Sequence, residues 1–205
     1  MVMILLDGLG VFAFGVSGGL LAVHRRLDLF GVLVLALVTA LAGGIVRDVL
    51  IADLPPVAFR NSLYLVVALA AGGACFLMHR ILARLHQPIM VFDALGLGVF
   101  ASIGCNKALG SGLDPLAAVL IGVLSAVGGG IVRDLLVAEV PRVLKEEIYA
   151  AAALLAASVV AVGHALDWPP LPVTVVAIAA GFILRVLSVV FHWRLPRAPG
   201  SAPGS

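Results

Sequence analysis

Hydrophobic positions along the chain form seven long runs, and short polar segments separate them. A helix needs about 20 apolar residues to cross roughly 30 Å of hydrocarbon, which is close to the length of each run. The pattern therefore predicts an all-α integral membrane protein with seven transmembrane helices, numbered here as spans 1 to 7. The spans cover residues 4–23, 29–50, 59–79, 89–108, 115–137, 146–165 and 172–193.

The segments between the spans contain residues that end helices. Proline has no N–H and cannot continue a helix from its interior, and it occurs in "DLPP" (53–56), "EVPR" (139–142) and "DWPPLP" (167–172). "LDP" (113–115) has the opposite role, because proline is favoured in the first turn of a helix. Residues 196–205 are rich in Pro, Gly and Ser, which predicts a disordered tail.

Composition indicates that lipid is the solvent for most of the surface. The 205 residues are 62% hydrophobic and 12% charged, whereas soluble domains carry about 25% charged residues. A soluble domain of this size would still need a polar surface. The net charge of +2 and the scattered basic residues argue against a nucleic-acid partner. Cys75 and Cys105 are far apart and lack metal-ligand spacing, so we interpret them as unpaired thiols.

Lysine and arginine are distributed unequally between the two sides of the predicted bundle. Nine fall on one side and three on the other, and the richer side is normally cytoplasmic. We therefore expect a multi-pass protein of the bacterial inner membrane, with its N-terminus outside and its C-terminus in the cytoplasm. The nine are Arg25, Arg26, Arg80, Arg84, Arg133, Arg142, Lys145, Arg194 and Arg197, and the three are Arg47, Arg60 and Lys107.

An internal repeat relates two parts of the chain at an offset of 86 residues. "LAGGIVRDVL" (41–50) and "AVGGGIVRDLL" (126–136) are nearly the same text, and after a one-residue slip "LY" (63–64) matches "IY" (148–149). Further matches at this offset are Asp7 with Asp93, Gly10 with Gly96, Phe14 with Phe100, Gly18 with Gly104 and Asp28 with Asp114.

Each repeat contains three spans, and an odd number of crossings brings the second repeat into the membrane from the opposite side. We therefore expect two inverted three-helix repeats, residues 1–82 and 83–167, followed by a seventh helix within 168–195. Inverted repeats with interrupted helices in corresponding positions are common in proteins that move solutes across membranes.

The repeated glycines allow two interpretations. Gly43 and Gly44 in span 2, and Gly128, Gly129 and Gly130 in span 5, weaken a helix by about 1 kcal/mol each relative to alanine. A kink or break there would expose backbone groups that lipid cannot satisfy, so they would face a water-filled cavity. The alternative is close packing of helices through small residues. We favour the break, because an arginine follows three residues later in both repeats.

The charged residues of the spans form two sets related by the repeat. Asp7, Arg47 and Asp48, the Arg47 set, fall near the predicted outer face, and Asp93, Arg133 and Asp134, the Arg133 set, fall near the inner face. Charges within a membrane normally face the protein interior or a cavity. The alternative is that these side chains reach the lipid head groups, which we expect of Asp48 and Asp134 because they lie near helix ends.

Other polar residues are weaker candidates for lining a solute path. Ser and Thr side chains often bond to their own helix backbone, and Lys107 follows Asn106 at a helix end. Arg185 either extends to the interface or meets Asp93. The candidate path-lining residues are Ser17, Thr39, Ser102, Ser125 and Lys107.

Two three-helix repeats, each with "GG-x-x-Arg-Asp" on its second helix, and a seventh helix resemble the bacterial branch of the trimeric intracellular cation channel (TRIC) family. The resemblance covers about residues 4–193. It implies a homotrimer in membrane lipid, with an ion pathway inside each protomer and kinked helices in spans 2 and 5. It also implies conduction of monovalent cations, mainly potassium, without a cofactor or metal site, and it leaves a bound lipid open.

The residues alone leave the permeant species open. Arginines beside a path repel cations, whereas aspartates and free carbonyl oxygens attract them. A carrier for a small solute such as glycine, which would use the same inverted repeats, stays as the alternative. We predict that the protein is not an enzyme, because we find no nucleophile–base pair or metal-binding cluster in the sequence.

Overall fold

Among the residues that the structure describes, six helices are long and apolar enough to cross a membrane. The computed structural model describes residues 2–78, 88–145 and 148–193, and in these ranges all regular structure is helical. The predicted tail (196–205) lies outside them. The helices are α1 (Val2–His24), α2 (Leu29–Leu50), α3 (Val57–Arg60), α4 (Leu63–Leu77), α5 (Pro88–Gly110), α6 (Pro115–Leu136), α7 (Arg142–Lys145), α8 (Ile148–Ala165) and α9 (Pro170–Val190).

Span 3 differs from its prediction, since a short helix and a longer one replace the expected helix over 59–79. The Asn61 side-chain oxygen accepts a hydrogen bond from the Leu63 N–H at 3.0 Å, and Asn61 itself has an extended backbone. Asparagine side chains compete with helix hydrogen bonds in this way. The short helix α3 therefore ends at Arg60, and α4, with 15 residues, is shorter than the other apolar helices. Residue 79 lies outside the described ranges.

The ends of α2 and α6 repeat the same local chemistry. Asp28 accepts a hydrogen bond from the Gly31 N–H at 2.8 Å, and Asp114 accepts one from the Leu116 N–H at 2.9 Å, so each aspartate caps its helix N-terminus. Two residues past each helix, Ala52 and Ala138 have φ angles of 57°. The sequence repeat is thus also a repeat of helix starts and helix ends.

The central glycines of α2 and α6 lie where these two helices cross. A Cβ atom at Gly43 would collide with the carbonyl oxygen of Ser125, and one at Gly129 would collide with that of Thr39. These pairs show that the two helices run antiparallel, because the later residue on α2 faces the earlier residue on α6. Gly128 fits against Gly43 in the same crossing, with 3.2 Å from its hypothetical Cβ to the Gly43 Cα.

The expected helix break is therefore wrong. Helix α2 continues from Leu29 to Leu50, and α6 continues from Pro115 to Leu136. Because glycine has no side chain, the two backbones can approach closely here. The glycines therefore serve close helix packing, which was the second interpretation of the sequence. A bend without a break is compatible with continuous helices, so the predicted kink stays a prediction.

A second antiparallel crossing joins α1 and α5 through two phenylalanines. Phe14 packs against Gly96, and Phe100 packs against Gly10, with ring centroids 5.3 Å apart. Both rings are buried. Each ring therefore fills the space that the glycine of the other helix leaves open.

Helix α9 packs on the outside of α5 and α8. A Cβ at Gly98 would lie 2.8 Å from the Ile178 carbonyl oxygen, and one at Gly181 would lie 3.0 Å from the Ala152 Cβ. The Asn106 side chain donates a hydrogen bond to the Thr174 hydroxyl oxygen at 2.9 Å. The helix that lies beyond the two repeats is thereby held against the second one.

Candidate functional site

The Arg47 set is an ion-pair cluster at the C-terminal end of α2. Arg47 donates from Nε to Asp48 Oδ1 at 2.8 Å and from Nη1 to Asp7 Oδ1 at 3.2 Å. Asp48 Oδ2 accepts the backbone N–H of Val57 at 2.9 Å. The Asp48 carboxylate therefore binds its neighbour on α2 and also the first residue of α3.

Lys107 extends the Arg47 set toward the surface. Its Nζ atom lies 2.7 Å from Asp48 Oδ1 and 2.6 Å from Asp53 Oδ2, so it bridges two carboxylates on α2 and the following turn. Arg60 donates to the other oxygen of Asp53 at 2.6 Å. Two hydrogen bonds hold the pKa of the Asp53 carboxyl below its usual range, and the bond from Lys107 has a larger effect than the bond from Arg60.

The Arg133 set repeats this arrangement at the end of α6. Arg133 donates from Nε to Asp134 Oδ1 at 2.9 Å and from Nη1 to Asp93 Oδ1. Asp134 Oδ2 accepts the backbone N–H of Arg142 at 2.9 Å, as Asp48 accepts that of Val57. The structure therefore brings together both predicted sets.

Asp48 and Asp134 do not extend to lipid head groups, so that expectation is wrong. Their exposed fractions are 1% and 0%, because each carboxylate accepts hydrogen bonds from an arginine side chain and from the N–H of the next short helix. A carboxylate with such partners can stay ionised away from water, whereas one without them would be costly to bury.

The two sets lie on opposite sides of the glycine crossing. Arg47 is four residues past Gly43 on α2, and Arg133 is four residues past Gly129 on α6. Because the helices are antiparallel here, the two arginines diverge from the crossing in opposite directions. Gly43 faces Ser125 and Gly129 faces Thr39, so Arg47 lies opposite position 121 of α6. That position precedes Arg133 by 12 residues, or about 18 Å along the helix at 1.5 Å per residue.

The sets differ in their access to solvent. In the Arg47 set, the side chain of Asp7 is 10% exposed, and that of the attached Lys107 is 26% exposed. In the Arg133 set, the side chains of Arg133 and Asp93 are 0% and 1% exposed. The Arg47 set is therefore reached from the surface, whereas the Arg133 set is enclosed.

Three candidate path-lining residues lie between the sets, on the faces where helices meet. Thr39 Oγ1 donates to the Leu35 carbonyl at 2.5 Å, and Ser102 Oγ donates to the Gly98 carbonyl at 2.8 Å, so both bond to their own helix. The Ser125 hydroxyl is buried and has no hydrogen-bond partner within the described part of the chain.

Ser17 has a more specific position than the sequence suggested. Its hydroxyl accepts a hydrogen bond from Arg133 Nη1 at 2.7 Å and lies 3.5 Å from Asp93 Oδ1. Ser17 belongs to α1 and thus to the first repeat, but it contacts the charges of the second. At the 86-residue offset its counterpart is Ile103, which has no hydroxyl to offer the Arg47 set.

Comparison with known proteins identifies the family. A family model described as Glycine transporter matches residues 4–80 and 90–165. The chain belongs to this family. Over 193 residues it is 38% identical to the UPF0126 inner membrane protein YadS of Escherichia coli (strain K12), with 93% of both chains covered.

Family membership is accompanied by a close structural likeness to solved channels. One TRIC cation channel structure matches with a TM-score of 0.88 and 36% identity over 98% of this chain and 100% of the other. The TRIC orthologue from Rhodobacter sphaeroides matches with a TM-score of 0.89 and 34% identity over 94% and 99%. The resemblance to the TRIC family is thus confirmed, and the protein is an all-helical, multi-span membrane protein.

Two tyrosines in this family member contribute to the sets, and sequence reasoning did not assign them there. Tyr64 interacts electrostatically with Asp7 and Arg47, and Tyr149 does so with Asp93 and Arg133. Both tyrosines are buried. The match of "LY" with "IY" after the one-residue slip was the available signal, but a pair of tyrosines at helix starts is not by itself evidence of contact with charges.

Helix α9 and the short helix α7 bring two further arginines to the Arg133 set. The Arg185 guanidinium lies over the Tyr149 ring, 4.9 Å from its centroid, and is 2% exposed. The charges of both Arg142 and Arg185 act on the Asp93 carboxylate. Arg185 therefore points into the bundle and lies near Asp93. This is one of the two positions that the sequence analysis left open for it.

Proposed function

We propose that the protein is a channel of the bacterial inner membrane that conducts monovalent cations, mainly potassium. The observation that carries the proposal is the likeness to solved TRIC cation channels over almost the full length of both chains. By the same likeness we propose a homotrimer in membrane lipid with one pathway in each protomer.

The proposed topology has seven spans, with α4 as the third, and two inverted repeats. The antiparallel contacts between α2 and α6 support the inversion, because equivalent helices of inverted repeats must run in opposite directions. The proposed repeats are residues 1–82 and 83–167, and 168–195 form the seventh helix. The bias of lysine and arginine supports an outside N-terminus and a cytoplasmic C-terminus.

The proposed pathway runs along α2 and α6, past the glycine crossing, with one charge set at each end. Its central part is narrow, because Gly43 and Gly129 bring the two backbones together. The arginines compete with permeating ions for the aspartate oxygens, so conduction requires that the ion pairs loosen. The proposed pore and gating residues are Asp7, Gly43, Gly44, Arg47, Asp48, Asp93, Gly128, Gly129, Gly130, Arg133 and Asp134.

A carrier for a small solute is the second candidate, and the family description as a glycine transporter favours it. A carrier exposes its site to one side at a time, so its flux saturates and no single-channel current is seen. Two arginine–aspartate pairs at opposite ends of one bundle suit either mechanism, because one end could open as the other closes.

Recording from purified protein in planar lipid bilayers under a potassium chloride gradient tests the proposal. We expect discrete unitary currents that reverse near the potassium equilibrium potential, and Arg133→Gln should change their amplitude. Arg25→Gln is the matched control, because Arg25 pairs with Glu139 at the partly exposed surface. The channel proposal is wrong if no unitary current appears while proteoliposomes show saturable glycine uptake.

A further inference from the structure

One serine hydroxyl connects three helices at the Arg133 set. Ser17 Oγ on α1 accepts a hydrogen bond from Arg133 Nη1 on α6 at 2.7 Å. On α5 the same oxygen lies 3.5 Å from Asp93 Oδ1 and 3.4 Å from the Ile89 carbonyl oxygen. A hydroxyl can accept a hydrogen bond and donate its own proton at the same time. Ser17 therefore binds the arginine while its proton is available to either oxygen on α5.

The bond between Ser17 and Arg133 is of the stronger kind. Its donor is a charged guanidinium, and hydrogen bonds that involve a charged group are stronger than those between neutral groups. Both residues are fully buried. Arg133 Nη1 also donates to Asp93 Oδ1, so Ser17 and Asp93 hold the same nitrogen atom.

Helix α1 is fixed in place beside Ser17. A Cβ atom at Gly18 would lie 2.7 Å from the Leu35 carbonyl oxygen on α2, and one at Gly19 would lie 3.1 Å from the Cys75 Cβ on α4. The backbone of α1 is thus in close contact with two other helices at this level. If Arg133 moves away from Asp93, α1 cannot follow it, and the bond to Ser17 must break.

The repeat does not duplicate this contact. The counterpart of Ser17 at the 86-residue offset is Ile103 on α5, whose buried side chain is a hydrocarbon. The corresponding bond in the Arg47 set, from Arg47 Nη1 to Asp7 Oδ1 at 3.2 Å, therefore receives no help from a hydroxyl at the equivalent position. The serine contact distinguishes the Arg133 set from the Arg47 set.

We infer that Ser17 is a positioning residue that holds the pair of Arg133 and Asp93 together and so sets how readily the Arg133 end of the pathway opens. The inference rests on the proposed channel function, in which the ion pairs loosen during conduction. The closed state contains the Ser17 bond and the open state does not, so the hydroxyl shifts the equilibrium toward the closed state.

Single-channel recording in symmetric potassium chloride tests the inference through the ratio of open to closed time. Ser17→Ala removes the hydroxyl and should raise this ratio at least about tenfold, since a hydrogen bond to a charged group is lost from the closed state alone. Ser188→Ala is the matched control, because the buried Ser188 hydroxyl bonds to the Arg185 carbonyl on its own helix at 2.7 Å. Its ratio should equal that of the wild type.

A second comparison shows whether Ser17 acts through Arg133. In an Arg133→Gln background the charged donor is absent, so adding Ser17→Ala should change the ratio by less than about twofold. If Arg133→Gln does not fold, Arg133→Lys takes its place, because a lysine ammonium is drawn to Asp93 and Asp134 rather than to a neutral hydroxyl. If Ser17→Ala itself does not fold, Ser17→Cys offers a side chain of similar shape with a weaker acceptor.

The possible outcomes separate the inference from the function on which it rests. A wild type that carries no potassium current overturns the proposed function and the inference with it. In a conducting wild type, an unchanged ratio in the Ser17 variant overturns the inference alone. The same holds if Ser17→Ala raises the ratio equally with and without Arg133, because a general loosening of the helices would have that effect.

Discussion

Replacing Gly43 with alanine should force apart the two helices that cross at the centre of the protein. The new Cβ would overlap the carbonyl oxygen of Ser125 on α6. Both the position of the Cβ and that of the carbonyl are fixed by helical backbones, so no rotamer change relieves the overlap. Helices α2 and α6 must shift, and the packing around Gly129 is disturbed with them.

The size of the effect follows from two opposing terms. Overpacking of a close contact costs about 1–3 kcal/mol, and a clash between two backbones lies at the upper end of that range. Alanine regains about 1 kcal/mol of helix propensity. The expected net loss at Gly43 is about 2 kcal/mol, or about 4–8 °C in Tm for a chain of this size.

Gly44 provides the matched control on the next position of the same helix. The nearest atom to a Cβ there is Arg47 Nη2 at 3.8 Å, which is an ordinary contact. Gly44→Ala should therefore keep the propensity gain and leave the free energy of unfolding equal to or up to about 1 kcal/mol above that of the wild type.

Thermal unfolding of the purified variants in one detergent, followed by circular dichroism at 222 nm, measures the difference. Gly43→Ala should unfold at a lower temperature than the wild type, and Gly44→Ala should not. Equal Tm values for the two variants would show that the crossing tolerates a methyl group, and the role assigned here to Gly43 as a packing residue would be refuted.

Three further predictions concern the charge sets. Arg133→Gln and Asp93→Asn should each lower the free energy of unfolding by about 3–5 kcal/mol, because each leaves its buried partner unpaired. The double variant should lose less than the sum of the two. A coupling energy below about 0.5 kcal/mol in a double-mutant cycle of thermal unfolding would contradict the pairing. Gly130→Ala should lower the Tm, because its new Cβ would lie 2.7 Å from the Tyr149 hydroxyl oxygen. Adding Tyr149→Phe to this variant removes the hydroxyl and should restore part of the lost Tm. Lys107 and Arg60 lower the pKa of Asp53, so its stabilising contribution is present above the unfolded pKa of about 3.9 and is lost as pH falls through the lower folded pKa. The Tm of Asp53→Asn should therefore lie below that of the wild type at pH 6 and approach it in acid, and a constant difference across this range would contradict the assignment.

The sequence alone determined the properties that depend on local composition and on the repeat. Runs of about 20 apolar residues are explained only by lipid, and they predicted the long helices to within a few residues. The 86-residue offset paired Asp7 with Asp93 and Arg47 with Arg133, and a costly charge within a membrane needs a nearby partner of opposite sign. The membership of the two charge sets could therefore be reasoned out before any contact was known.

Only the tertiary structure decided what the glycines and the helix-end aspartates do. Whether a glycine breaks a helix or admits a neighbour depends on which backbone lies opposite, and at Gly43 that is Ser125, 82 positions along the chain. Asp48 and Asp134 are buried because a backbone N–H from the next short helix reaches them, and hydropathy does not encode that geometry. Arg185 joins the Arg133 end only because α9 packs beside α8. Such contacts are set by the pairing of helices distant in sequence, so no local pattern could have revealed them.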